Sequence, residues 1–134
     1  MLIDINVLVD FALDREEFGP IAETLLNRIE QTSTTAFVAW HSIATFHFLV
    51  TRGTDRATAR AFVVRLTNFL TVVSTGHANL DYALSLPMRD FEDAMQVAAA
   101  RAAGVERIVT RDARDFANSP IPAITPEQAL QELF

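Results

Sequence analysis

The chain of 134 residues contains no cysteine and no lysine. Without cysteine it cannot form disulfides, use a thiolate nucleophile or build a cysteine-ligated zinc site. Without lysine it cannot form a Schiff base, supply the lysine of a phosphate-binding loop, or steady a phosphoryl group with an ammonium ion. All eleven basic residues are arginines, set against seventeen acids, and the net charge is −6. That balance argues against a clamp on nucleic-acid backbone, which needs a basic face. Nucleic acid stays open as a substrate, because a bound metal supplies positive charge locally. No apolar run is long enough to span a membrane. The N-terminus, MLIDINVLVD, carries an acid at position 4, where a signal peptide has a basic stretch and then a longer apolar run. The expectation is a cytoplasmic protein.

Half of the residues are hydrophobic. With this length, that predicts one domain, 1–134, with a real core and little disorder. Residues 1–5 read as a short buried strand, and residues 6–13 as the start of a helical turn. Ile21, Leu25, Leu26 and Ile29 recur at helical spacing after Gly19-Pro20. A polar connector at 32–35 leads to a second strand at 36–39. Ser42 is then expected to cap a helix with Ile43, Phe46, His47 and Val50 on one face. Gly53-Thr54-Asp55 opens another helix, followed by a strand at 70–73 and a short helix at 80–84. The alanine-rich segment 90–103 reads as a helix ended by Gly104. Strands at 107–110 and 122–124 follow, and Thr125-Pro126-Glu127 opens the last helix. Strands alternating with helices predict an α/β fold with a mostly parallel central sheet and helices on both faces. In such sheets the functional crevice lies beyond the carboxyl ends of the strands.

Acids collect at those places. Asp4 ends the first strand and is followed by Asn6 and Asp10. An ionised acid in an apolar strand is costly unless it is paired or holds a metal. Asp90, Glu92 and Asp93 open the alanine-rich helix. The helix dipole explains one or two acids there but not three in four residues. Asp112 follows the strand at 107–110, and Asp115 comes three residues later. Each acid alone suits a capped turn. Together they point to one crevice, and carboxylate oxygens suit hard cations such as Mg²⁺ or Mn²⁺. Asp4-Ile5-Asn6 also has a superficial likeness to the strand-end motif of haloacid dehalogenase-type phosphatases. Those have aspartate where Asn6 stands and use a lysine; a response-regulator receiver is disfavoured by the same missing lysine.

The segments LIDINVLVD, DFEDAMQVAAARAAGV and IVTRDARDF, in this order and spacing, resemble a PIN domain of the kind found in VapC-type toxin ribonucleases. The resemblance implies a three-layer α/β/α sandwich and a Mg²⁺- or Mn²⁺-dependent endoribonuclease leaving a 5′-phosphate and a 3′-hydroxyl. It implies that Asp4, Asp93 and Asp112 are the catalytic, metal-holding acids. Asn6 and Thr110 match supporting polar positions, and Asp115 matches a frequent extra acid at the rim. The family usually carries a glutamate on the helix after the second strand, where the alignment places Thr45. Asp90 or Glu92 is then the candidate replacement; otherwise metal binding is weaker or activity is lost. The resemblance further implies an RNA substrate and, for toxin-type relatives, a small cognate antitoxin protein.

Arg89, Arg111 and Arg114 lie nearest the acids in sequence and either guide RNA or pair with those acids. His41 follows the second strand within reach of the crevice, but no second histidine stands at ligand spacing, so a structural role is expected. His47 reads as a packed or interface histidine and His77 as exposed. Phe46, Phe48, Phe62 and Phe69 read as core or dimer surface. The apolar stretches 43–50 and 59–70 suit a homodimer. The rival to catalysis is a weak or inactive PIN-fold module acting through dimerisation or partner binding.

Overall fold

A computed structural model describes all residues, 1–134. Five strands form one parallel sheet: β1 (Leu2–Ile3), β2 (Ala36–Ala39), β3 (Leu70–Val73), β4 (Ile108–Val109) and β5 (Ala123–Ile124), in the order β3-β2-β1-β4-β5. Seven helices connect and flank them: α1 (Ile5–Ala12), α2 (Gly19–Thr32), α3 (Trp40–Gly53), α4 (Arg56–Thr67), α5 (His77–Ser85), α6 (Phe91–Ala102) and α7 (Pro126–Leu133).

Side-chain alternation along the strands sorts these helices into two layers. Ile3, Val38, Val109 and Ile124 point to one face. There they meet Leu8 of α1, Leu25 and Ile29 of α2, Phe46 of α3, Leu66 of α4 and Ala129 of α7. Leu2, Ala39, Val73 and Ile108 point to the other face, against Val97, Ala99 and Ala100 of α6, with Tyr82 of α5 beside them. Ala94, Ala98, Ala99 and Ala100 of α6 are buried. Their small side chains let that helix lie close to the sheet, which brings its N-terminus to the carboxyl end of β1. The result is the α/β/α sandwich expected from the alternation.

Local chemistry sets most element ends as the sequence suggests. Asp55 caps α4 through Thr58 N, Asp90 caps α6, and Thr125 caps α7 with Pro126 next to it. Gly104, at φ +66°, ends α6 in the left-handed region that favours glycine. Ser42 is a correction. Helix α3 begins three residues earlier, at Trp40, with Ala39 at its cap position and no side-chain cap bond. Ser42 is fully buried inside the helix and turned toward α6. Chain direction out of β2 fixes that start, so the hydroxyl is free for a tertiary contact.

The order β3-β2-β1-β4-β5 makes the boundary between β1 and β4 the topological switch point. Connections leave it toward β2 on one side and β5 on the other, which opens a crevice at the carboxyl ends of β1 and β4. Asp4 directly follows β1 and Thr110 directly follows β4.

The phenylalanines divide by environment. Phe46 is fully buried, Phe62 and Phe69 are half-buried, and Phe48 is 57% exposed. Phe46→Ala is therefore expected to cost about 3–5 kcal/mol of unfolding free energy, and Phe48→Ala less than about 1 kcal/mol. Urea denaturation of the two variants checks the contrast.

Candidate active site

Asp4 is buried where the central strand gives way to α1, and it is held from every side. Its Oδ2 accepts a hydrogen bond from Thr110 Oγ1 at 2.7 Å. Its Oδ1 accepts from Ile5 N at 2.7 Å and from Gln96 Nε2 at 3.0 Å. Asn6 extends this network outward. Its Nδ2 donates to Thr110 Oγ1 at 3.0 Å and to Asp112 Oδ2 at 3.2 Å, while its Oδ1 accepts from Arg111 N at 3.1 Å. Asp112, whose carboxylate is exposed, is thereby joined to Asp4 through one amide and one hydroxyl. The short interval between the polar side chains explains the roles: a helical turn beginning at Ile5 swings Asn6 across to the strand that pairs beside β1.

A second group of acids approaches from α6. One carboxylate oxygen each from Asp90, Glu92 and Asp93 lies within 4.8 Å of the others. Asp90 Oδ1 accepts from Glu92 N at 2.8 Å and from Asp93 N at 3.3 Å, so this acid is occupied as the cap of α6. Glu92 is held differently. Its Oε1 meets Gln96 Nε2 at 3.1 Å and His41 Nε2 at 3.2 Å. Gln96 Nε2 also lies 2.8 Å from Ser42 Oγ. One amide nitrogen thus ties Asp4 of β1's end, Glu92 of α6 and Ser42 of α3, while Gln96 Oε1 stays buried without a partner. The closest acid group is therefore the α6 trio; Asp4 is linked to it through Gln96, and Asp112 lies outside it.

Electrostatics record this crowding. Burial pushes the Asp4 carboxyl up to about 6, and the charges of Glu92 and Asp112 add to the rise against the opposing hydrogen bonds from Thr110 and Ile5. Burial also pushes Asp93 up to about 7, with further contributions from Asp90, Asp4, Glu92 and Asp115. No arginine forms an ion pair with Asp4, Asp90, Asp93 or Asp115.

The arginines are distributed unequally. Arg111 turns away toward α1, where its Nη1 meets Asp10 Oδ1 at 2.9 Å and its guanidinium lies 4.8 Å from the Phe18 ring centre. Arg15 joins the same buried Asp10 at 3.0 Å. Arg111 also touches Asp112 Oδ2, at 3.4 Å from its Nε. Arg89 and Arg114 line a cavity of about 440 Å³ together with Asp90, Asp93 and Asp115. Thr45 is exposed and takes no part in the acid network, so the residues of α3 that reach it are His41 and Ser42.

Three members of this site escape a reading of the sequence. Gln96 lies in an alanine-rich run as an ordinary helix former, Ser42 resembles a cap, and His41 lacks a partner at ligand spacing. The one available signal is the i, i+4 pair Glu92 and Gln96, which share a helix face.

The sequence model of the PIN domain family matches residues 1–114. The chain belongs to the PIN domain family. No curated protein matches it. PIN domains are generally nucleases, hydrolases of phosphodiester bonds, and typically use divalent metals. The site's chemistry fits such an ion: its donors are all oxygens, several are unpaired carboxylates, and two of these are reluctant to ionise without a counter-charge. The matched segment contains both acid groups of this PIN domain. β5 and α7 lie beyond it, yet β5 pairs with β4, and Ile124 and Ala129 pack into the larger core.

The raised carboxyls make a pH prediction for the metal-free protein. Because Asp4 and Asp93 bind protons more tightly folded than unfolded, their contribution is fully present below about pH 4. It is lost as pH rises through about 6 and 7. Stability should fall across that window in chelator. Asp93→Asn should flatten the fall and be more stable than the parent at pH 8, as thermal unfolding at several pH values would show. An unchanged slope in the variant would contradict the assignment.

Proposed function

We propose that this PIN domain is an endoribonuclease dependent on Mg²⁺ or Mn²⁺, with residues 1–134 acting as one domain. The observation that supports the reading is the α6 group of Asp90, Glu92 and Asp93, whose carboxylate oxygens lie within 4.8 Å of one another, beside Asp4 at the switch point of the sheet, with no arginine partner for Asp4 or Asp93. Like charges held together in a partly buried crevice repel, and a divalent cation relieves that repulsion.

Asp4, Asp93 and Asp112 would hold the ion. When bound, a divalent ion polarises a phosphate and lowers the pKa of water beside it. Thr110 and Gln96 fix the Asp4 carboxylate, and Asn6 fixes Asp112, so these acids need little reordering. Glu92 is the better stand-in for the missing α3 glutamate. Its carboxylate is aimed by His41 and Gln96, whereas Asp90 is occupied at the helix cap. Asp115 adds negative charge at the rim near Asp93. Arg89 and Arg114, which form no ion pair, are the arginines available to an RNA phosphate on that side, whereas Arg111 is engaged with Asp10. Cleavage would leave a 5′-phosphate and a 3′-hydroxyl.

The finer form of this reading is the toxin of a toxin–antitoxin pair, acting in the cytoplasm and held by a cognate antitoxin protein. Its support is the likeness of LIDINVLVD, DFEDAMQVAAARAAGV and IVTRDARDF to VapC-type toxins. No helix is long and apolar enough to cross a membrane. A second reading, a PIN-fold module without catalysis that acts as a homodimer or on a partner, is favoured by exposed Phe48, Leu49 and Val64 on α3 and α4.

Incubation of single-stranded and structured RNA with Mg²⁺ or Mn²⁺ distinguishes the two. Metal-dependent cleavage is expected. Asp93→Asn should reduce it by more than the roughly 10–100-fold typical of losing a group that merely orients a metal ligand. Glu92→Gln should also reduce cleavage, and Thr45→Ala should leave it near the parent rate. In the parent, Mg²⁺ should raise the melting temperature, and Asp93→Asn should lose that shift. Failure to cut any RNA with either metal would rule out the nuclease reading.

A further inference from the structure

Resting on the ribonuclease reading, we propose that Trp40 and Arg60 form a nucleotide-binding subsite beside the acids, in which the indole stacks on a base of single-stranded RNA and the guanidinium meets its phosphate. Trp40 is the first residue of α3, at the carboxyl end of β2 and therefore on the same sheet edge as Asp4 and Thr110. It is 67% exposed, although it is the largest apolar side chain available and the chain's single tryptophan. An indole left in water at the mouth of a crevice forgoes the burial that its size would reward.

The indole borders a cavity of about 460 Å³ between α3 and α4, whose walls include Ile43, His47, Arg60 and Val63. No carboxylate lines this cavity, in a chain that carries seventeen acids and a net charge of −6. Arg60 takes part in no ion pair and is exposed. The combination of an aromatic face, an unpaired guanidinium and an absence of acids is complementary to a nucleotide, which offers a flat ring and an anion.

Continuity with the acids decides the occupant. His41 lines the same cavity, and its Nε2 lies 3.2 Å from Glu92 Oε1. A strand held at the α6 acids would reach this cavity past Glu92 and His41 on the β2 side, as it would reach the Arg89 and Arg114 cavity on the other. A protein partner seated here would need no such adjacency to the acids.

The single tryptophan supplies its own probe. Fluorescence titration with a short single-stranded oligoribonucleotide in chelator, where metal-dependent cleavage is absent, should quench Trp40 and saturate. Trp40→Ala, followed by fluorescence anisotropy of a labelled oligonucleotide, should bind about 5- to 100-fold more weakly, as loss of one stacked base predicts, while Trp40→Phe should recover much of the affinity. Arg60→Ala should weaken binding and reduce the slope of log affinity against log salt by about 0.7, the value for one phosphate contact on a single strand. Circular dichroism checks that each variant is folded. Parent-like affinity in Trp40→Ala, or saturable binding without quenching, would overturn the subsite. So would an unchanged RNA affinity accompanied by conversion of a dimer to a monomer in sedimentation, which would mark the indole as a contact between copies. Because binding is read in chelator, a subsite that fails while Mg²⁺-dependent cleavage persists leaves the nuclease reading standing. Quenching without any cleavage does the reverse.

Discussion

The structure depends on a carboxylate placed where an apolar side chain would be cheaper. Asp4 directly follows the hydrophobic strand β1 at the switch point, is 3% exposed, and faces no arginine. Its burial is made tolerable by three donors: the backbone of Ile5, the hydroxyl of Thr110 and the amide of Gln96. Those donors come from α1, the end of β4 and α6. The requirement to satisfy one acid therefore fixes the relative positions of three elements. A buried polar network of this kind specifies an arrangement only when its members are satisfied together. Here one atom, Gln96 Oε1, is left over.

Charge is handled in two ways within a short distance. Asp10 lies one helical stretch beyond Asp4 and is equally buried, but Arg15 and Arg111 neutralise it. That pairing is structural, and it draws Arg111 away from the crevice. The acids of α6 receive no such partners. Their repulsion is moderated by the start of the helix and, at Asp93, by burial that favours the protonated form. The contrast separates acids that hold the fold together from acids kept available, and residue type alone does not distinguish them. The same asymmetry extends across the crevice: free arginines flank the β4 side, while an acid-free aromatic cavity flanks the β2 side.

The PIN family relationship and the geometry bear on different questions. Membership fixes the fold and the general class of nuclease. The geometry shows which groups stand near the position where α3 lacks a glutamate. Ser42 reaches inward from that helix, but as a hydroxyl beside Gln96, and the nearest carboxylate on that side is Glu92 from α6. Under the proposed reading, that ligand position passes from one layer of the sandwich to the other.

The sequence by itself determined the local features. The strands at 36–39 and 70–73, the caps Asp55, Asp90 and Thr125, the left-handed Gly104 and the alternation of strands with helices all follow from short-range sterics and hydrogen bonding. It also marked Asp4 as a costly acid at a strand end, and Asp93 and Asp112 as acids at a helix start and after a strand. Only the tertiary structure decided which groups meet them. Thr110 lies 106 residues from Asp4 and Gln96 lies 92 residues from it. Such contacts depend on strand order and on how closely α6 approaches the sheet, which no local pattern encodes. For the same reason Ser42 looked like a cap, and Arg111 stayed open between guiding RNA and pairing with an acid. Their partners are set by the packing of α3 against α6 and of β4's end against α1. The opening feature of β1, one acid among apolar residues, was legible as an expense; the network that makes the acid tolerable exists only in the folded chain.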